Sequence, residues 1–439
     1  MKESYTSQRV LLPEGLRPAT LVVEDGIITA IEEPGHQAED FGSKVLMPGI
    51  IDTHVHINEP GRTHWEGFES ATRSAAAGGL TTLVDMPLNC IPSTVDAAAL
   101  QGKCSVAAPQ LWVDVGFWGA AVPDNLEQLA GLQQAGVLGF KCFLSHPGTE
   151  EFAHLNEQQL ERAMLEIARL GSVLLLHAEE PALLRDFTGN PRDYHAYLAT
   201  RPVEAEVASI QKVLRLAQKT GCRCHVVHVA CQEGASLFPV DGVTYETCPH
   251  YLYFSAEEVP EGDTRLKCAP PIRSAAQRDG LWQALQRGSI SLIASDHSPS
   301  PADLKELDSG DFSKAWGGIS SLQLVLPAVW TPAAERGIEL AQVSQWLSAA
   351  PAELAGLSAR KGSLRVGLDA DFVVFDPDQH FVVGDLFHRH PVTPYQGRTL
   401  KGVVETTFLR GQRVFDRGQW AKAPAGQILS RSRACSPSI

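Results

Sequence analysis

No stretch of this 439-residue chain reaches the roughly 18 consecutive apolar residues of a membrane-spanning helix, and its polar start, "MKESYTSQRV", lacks the apolar centre of a secretory signal. Neither a membrane partner nor secretion is therefore expected. Basic charge is also short: 37 Lys and Arg stand against 51 Asp and Glu, a formal net charge of -14 that repels phosphate backbones, and no basic stripe or nucleic-acid motif offsets it. Nucleic acid is excluded as an expected partner. The nine cysteines are odd in number and scattered, and the one C-x-C, Cys222 and Cys224, has no second pair, so neither a disulfide framework nor a structural zinc site is expected. Reduced thiols point to an intracellular, cytoplasmic protein. The chain does not end in Ser-Lys-Leu, the simplest peroxisomal address. With 44% hydrophobic and 20% charged residues, the composition suits a globular chain with a large core.

What is present is a repeated pattern. Apolar runs at residues 48 to 56, 80 to 86, 111 to 118, 137 to 143, 173 to 178, 224 to 230, 243 to 248 and 290 to 295 read as eight strands. Helical stretches separate them, including Glu157 to Leu170, with Leu160, Met164, Ile167 and Leu170 on one face, and Pro202 to Gly221, opened by Pro and stopped by Gly. Strand and helix in alternation predict an α/β fold of the (β/α)8 TIM-barrel type, whose active site lies at the carboxyl ends of the strands. Five of these runs end in a candidate ligand: His54 and His56, Lys141, His177, His228 and Asp296. His54 and His56 stand two apart on a strand, which aims both imidazoles at one side, where they suit a transition metal. By the same alternation His228 is set facing inward and His225 outward, as a structural residue.

The segments "MPGIIDTHVH", "GLTTLVDMP", "GFKCFL", "LLLHAEE", "HVVHVA", "ETCPHYL" and "ASDHSP" resemble, in order, the cyclic amidohydrolases of the amidohydrolase superfamily. Within that group "EPGRTHWEGFESATRSAAAGG", "DMPLN", "KCAPPIR", "KAWGGI" and "PYQGRTLKG" are more similar to the allantoinase branch than to the dihydropyrimidinases. The resemblance spans about residues 9 to 428. It implies a catalytic barrel over residues 48–363 and a small β-sandwich made from both termini, residues 1–47 with 364–425. Short β patterns at Thr20 to Val23, Ile27 to Ile31, Phe372 to Phe375, Val403 to Leu409 and Gln412 to Phe415 agree with that unit. Residues 426–439 read as a disordered tail.

The resemblance further implies two divalent cations, expected to be zinc, one on His54, His56 and Asp296 and the other on His177 and His228. Between them it implies a carbamate formed from carbon dioxide on Lys141. A protonated lysine repels a dication, so only the deprotonated, carboxylated form could serve. A hydroxide shared by the metals would then open the ring amide of allantoin to allantoate, with Asp296 as general base. A homotetramer is also implied. A dihydropyrimidinase or hydantoinase would use the same centre, and a non-catalytic scaffold is a further alternative that six filled ligand positions disfavour.

Substrate contacts are drawn from the loops. Asn58 stands where similar dihydroorotases carry an arginine for a carboxylate, which favours a neutral ureide, although Asn58 also suits a turn before "EPG". Asn89 could contact substrate or hold a turn. Arg62, His64 and Trp65 lie in the loop after the first strand, where Trp65 could cover a ring or pack into the barrel. His250 is a possible substrate contact, His297 is read as supporting rather than ligating, and Ala269 carries no duty.

Overall fold

The computed structural model describes residues 2–35, 37–237 and 240–431. Eight parallel strands occupy the eight apolar runs: β1 (Ile50–Val55), β2 (Leu80–Asp85), β3 (Asp114–Phe117), β4 (Phe140–Phe143), β5 (Val173–His177), β6 (Arg223–Val226), β7 (Val243–Thr247) and β8 (Leu292–Ile293). β1, β2 and β3 pair in one sheet; β4 to β8 pair in sequence in another, which begins at the short strand Gly119–Ala120. Backbone hydrogen bonds join the two sheets, from Leu138 N to Phe117 O (2.9 Å) on one side and from His56 N to His297 O (2.8 Å) on the other. The ring is thereby closed, and the chain forms a TIM barrel.

Alternation sorts the side chains into two cores. Val84, Leu138, Val173, Leu175 and Leu292 pack in the barrel interior, whereas Leu83, Leu174, Leu176 and Val226 pack outward with helix residues such as Leu160, Met164, Ile167 and Val213. The helix Glu157–Arg169 starts where Asn156 accepts from Gln159 N while Gln159 bonds back to the Asn156 backbone, a reciprocal cap. Val203–Thr220 starts after Pro202 and ends at Gly221, whose φ of 68° suits a residue without a Cβ.

Both chain ends build one nine-stranded sheet. Its hairpins turn through Asp25-Gly26 and Arg410-Gly411, four residues of positive φ that match the twist of the flanking strands. Tyr5, on Lys2–Leu12, lies three strands from Phe408, on Thr399–Leu409, yet their ring centroids are 4.9 Å apart. Flat strands spaced at about 4.8 Å would hold them some three times farther apart, so the sheet curls over a shared core that includes Leu21, Leu46 and Phe372. This is the packing of a sandwich. Of the expected tail, residues 426–429 run beside β3, with Gly426 N and Leu429 N bonded to Leu111 O and Val115 O, and residues 432–439 lie outside the described residues.

Candidate active site

The carboxyl ends of β1, β4, β5 and β6 and the segment after β8 converge on one chain of rings. Centroids are 5.6 Å apart between His56 and His54, 5.4 Å between His54 and His228, and 4.6 Å between His228 and His177. Asp296 Oδ1 lies 3.1 Å from His54 Nε2 and 3.4 Å from His56 Nε2. All of these side chains are buried.

Parity explains most of this arrangement and fails at one point. Lys141, Leu175 and His225 stand in register on adjacent strands, so His225 shares the inward face, contrary to the outward setting expected from sequence. The cause is local: β6 ends at Val226 and His228 has a φ of 42°, so the two-residue period cannot be counted back across it. His225 Nε2 bonds Glu246 Oε2 at 2.9 Å, and Glu246 Oε1 takes His54 Nδ1 at 2.6 Å. His225 thus braces the carboxylate that orients a rim histidine.

Those bonds fix tautomers. Burial opposes ionisation of Glu246, but His54 and His225 outweigh it and bring the carboxyl down to about 2. An ionised Glu246 accepts from His54 Nδ1–H, which directs the opposite ring nitrogen, Nε2, at Asp296. Asp296 is itself held below the usual carboxylate range, because His54, His56 and His228 outweigh its burial. At 3.1 Å the contact between His54 Nε2 and the Asp296 oxygen needs a positive charge in it, either a proton or a metal cation that replaces it. The second half repeats the device: Glu179 Oε2 takes His177 Nε2 at 2.7 Å, so His177 turns its Nδ1 lone pair to His228 Nε2, 2.9 Å away. Burial, with Arg201 and His177 opposing it, leaves Glu179 at about 2.

Lys141 completes the group. Its Nζ is fully buried, lies 5.0 Å from the Phe143 ring centroid and has no hydrogen-bond partner among the described residues. Burial pulls its pKa down to about 8, against the nearby Glu246 and Asp296 carboxylates. A buried ammonium without partners is costly, whereas a neutral amine there is free to react. The donor set of imidazole lone pairs, one carboxylate and one unpartnered amine fits divalent cations of the first transition row. Among the described residues, His54, His56 and Asp296 offer ligand atoms within 4.8 Å of one another.

A cavity of about 680 Å³ opens onto His54, His56, His177, His228 and Asp296. Asn89 lines it and approaches His56 Nδ1 at 3.4 Å. Asn58 and Arg62 are not among its lining residues. Asn58 is buried with a φ of 65° and donates to Pro299 O at 3.4 Å, while Arg62 donates to Asn89 O at 3.0 Å and pairs with Glu151. Arg62 thus holds the loop that carries Asn89, and Asn58 ties the loop after β1 to the one after β8. Trp65 packs edge-on against Trp316, a cavity-wall residue, with ring centroids 4.9 Å apart. His297 accepts from Ser321 N and Leu322 N at 3.1 and 3.3 Å, which keeps it out of the ring chain. His250 is fully buried, and neither of its ring nitrogens has a hydrogen-bond partner among the described residues.

Sequence reasoning passed over Glu179 and Glu246. Both lie within recognised segments, and a carboxylate on an inward strand position or just past a strand end needs a buried partner; that was the available signal.

Residues 45–414 match the amidohydrolase family. The chain is 51% identical to the allantoinase of Streptomyces avermitilis over 97% of this chain and 98% of that one, and 44% identical to the allantoinase of Arabidopsis thaliana over 96% and 90%. Among solved structures it is similar to the L-hydantoinase (dihydropyrimidinase) of Arthrobacter aurescens, with a TM-score of 0.91 and 30% identity over 98% of this chain and all of that one. A barrel of this closure, with a histidine and carboxylate rim of this kind, places the chain in the amidohydrolase family.

Proposed function

We propose that this chain hydrolyses the ring amide of allantoin, a hydantoin bearing a ureido group, to give allantoate. The observation that carries the reading is the facing of His54 Nε2 and His56 Nε2 onto an ionised Asp296 beside the unpartnered Lys141, in a chain half identical to a bacterial allantoinase. His54, His56 and Asp296 would hold one divalent cation, and His177 and His228 a second. Lys141, carboxylated by carbon dioxide, would lie between them. Zinc is the proposed metal. Bound cations would polarise the scissile carbonyl and lower the pKa of a water from about 15.7 toward neutrality.

The chain's own groups supply the rest. Asp296 takes the proton of the attacking water and returns it to the departing ring nitrogen, so that a C–O bond replaces the C–N bond and no redox partner is required. Glu246 and Glu179 keep the His54 and His177 lone pairs turned to the site through the change of charge. Asn89 is positioned to meet the polar edge of the ring. Arg62 supports Asn89 from behind through its bond to the Asn89 carbonyl, and Asn58 ties the loop after β1 to Pro299.

No helix among the described residues is long and apolar enough to cross a membrane. A reducing, cytoplasmic setting is proposed on the scattered cysteines, the eight described ones being free. A homotetramer is proposed on the family resemblance, to be checked by light scattering.

The test is an assay of purified protein, reconstituted with zinc and bicarbonate, for allantoate formation, with elemental analysis of the same sample. Ring opening of allantoin with up to two metals per chain is the expected result. A metal-loaded protein that opens dihydrouracil or hydantoin and leaves allantoin intact would instead favour the hydantoinase reading, which the 0.91 TM-score to an L-hydantoinase supports. Failure to bind metal or open any of the three rings would favour a scaffold.

A further inference from the structure

In the proposed reaction the ring carbon bearing the ureido arm is bonded directly to the scissile carbonyl carbon. With that carbonyl at the imidazole and carboxylate cluster, the arm has to lie elsewhere in the same cavity. Its carbonyl oxygen needs a donor there, because an unpaired buried acceptor costs roughly 1–3 kcal/mol. Among the cationic side chains lining the cavity, Arg185 is exposed and Lys314, its side chain 71% exposed, pairs with Asp311 at 3.2 Å, so neither has a buried anchor. Arg201 and Lys267 do.

Arg201 is tied by its guanidinium to Glu179, the carboxylate that orients His177, and its backbone carbonyl accepts from Arg273 Nη1 at 3.1 Å. Lys267 donates from Nζ to Ala315 O at 2.6 Å and lies 5.2 Å from the centroid of the Tyr197 ring. Tyr197 is anchored in turn by its hydroxyl, which donates to Cys268 O at 2.7 Å, and by Phe312, whose ring lies at 12° to it. An ammonium has three N–H donors, and among the described residues this one gives a single bond, to Ala315 O. Burial and the nearby charge of Arg201 bring Lys267 down to about 8, which leaves it mostly protonated at pH 7 and places the two cations within each other's field. Tyr197, Thr200, Phe312 and Ala315 wall the same corner. An aromatic face with preset donors at its edge suits a planar, neutral amide group.

We infer that Lys267, with Arg201 beside it, receives the carbonyl oxygen of the ureido arm and so selects a ureido-substituted ring over an unsubstituted one. The inference rests on the allantoin reading above. Arg201 also bears on Glu179, so its removal would disturb His177 as well; Lys267 is the cleaner position to change. Lys267→Met keeps the aliphatic stem over Tyr197 and removes every donor, and Lys267→Gln removes the charge and draws its two N–H donors one bond back from the corner.

The experiment measures, for the metal-loaded parent enzyme and both variants, KM and kcat for allantoin and the inhibition constant of hydantoin, which lacks the arm. In both variants KM for allantoin is expected to rise on the order of 10-fold to 100-fold while kcat stays within about twofold. Hydantoin inhibition is expected to stay within about twofold, with metal content unchanged. An unchanged KM, or a KM for allantoin and an inhibition constant for hydantoin that rise together, overturns the inference. A parent enzyme that opens no allantoin overturns the allantoin reading as well, so the two failures are distinguishable.

Discussion

Among the described residues two buried clusters bring three ligand-bearing side chains within 4.8 Å of one another, and only one of them is without a lysine or arginine bonded to its carboxylates. At the amino end of β3, where the barrel meets the terminal sheet, Asp114, Asp369 and Asp371 surround Lys361, whose Nζ is 2.8 Å from Asp114 and 3.2 Å from Asp369 and pairs with Asp371. Arg410 adds a bond to Asp114 at 2.6 Å and Arg360 one to Asp369 at 2.9 Å. Three carboxylates meet three cations, and nothing is left for a metal to satisfy. At the opposite rim Asp296 faces imidazole lone pairs, and the nearest amine, Lys141, is one whose charge burial disfavours. The density of acidic groups therefore does not mark a metal centre; donors left without a proton or a cation do.

Removing Lys141 should widen this contrast most. Lys141→Ala is expected to lose metal from at least one position and activity by more than about 10⁴-fold, with partial recovery on adding a short carboxylic acid, read by elemental analysis and allantoate assay. Full activity in the variant would exclude a bridging role. Next in size, Asp296→Asn should keep the fold and some metal but lower kcat by about 10²–10⁴-fold, the range expected when a general base is lost. An unchanged kcat would remove Asp296 from proton transfer.

The rim was legible from sequence because a closed barrel gathers strand ends whatever the intervening helices do, so His54, His56, Lys141, His177, His228 and Asp296 could be named from apolar runs and their last residues. The orientation of His225 was not legible, since the left-handed backbone at His228 lies outside any two-residue count. Glu246 and Glu179 were hidden for another reason: their partners come from other strands or from the ring orientation of a neighbour, information carried by closure rather than by local pattern. Asn58 and Arg62 were drawn to the pocket by proximity along the chain, while Lys267, far away in "KCAPPIR", reaches the cavity through the loop after β7.

At the saturated cluster the same kind of substitution should act on stability alone. Lys361→Met leaves three buried carboxylates short of a cation, and breaking a buried pair in this way costs about 3–5 kcal/mol. Denaturant unfolding would read this, with kcat per folded molecule within about twofold of the parent. Burial opposes the charge of Lys361, but its three carboxylates outweigh it and raise its pKa above the ordinary lysine value of 10.5. Its contribution is accordingly complete below that value and is lost as pH rises through the folded-state pKa, so the gap between parent and variant should narrow under alkali. A gap that widens there would contradict the pairing.

The smallest effect should come from Glu246→Gln, which keeps shape and removes charge from the contact with His54. The amide can still accept from His54 Nδ1, but it no longer stabilises the imidazole as electron density is drawn toward a cation at Nε2, and it leaves His225 with a weaker partner. Metal affinity is expected to fall about 10–100-fold, measured by competition with a chelator, while turnover at saturating metal falls much less. The cluster around Lys361 lies at the other end of the barrel, so in the double variant the loss of metal affinity due to Glu246→Gln and the loss of unfolding free energy due to Lys361→Met should each match the single variant to within about 0.5 kcal/mol. A large departure from additivity would mean that the two ends of the barrel communicate, and the division between a saturated cluster and an unsaturated one would have to give way to a single connected network.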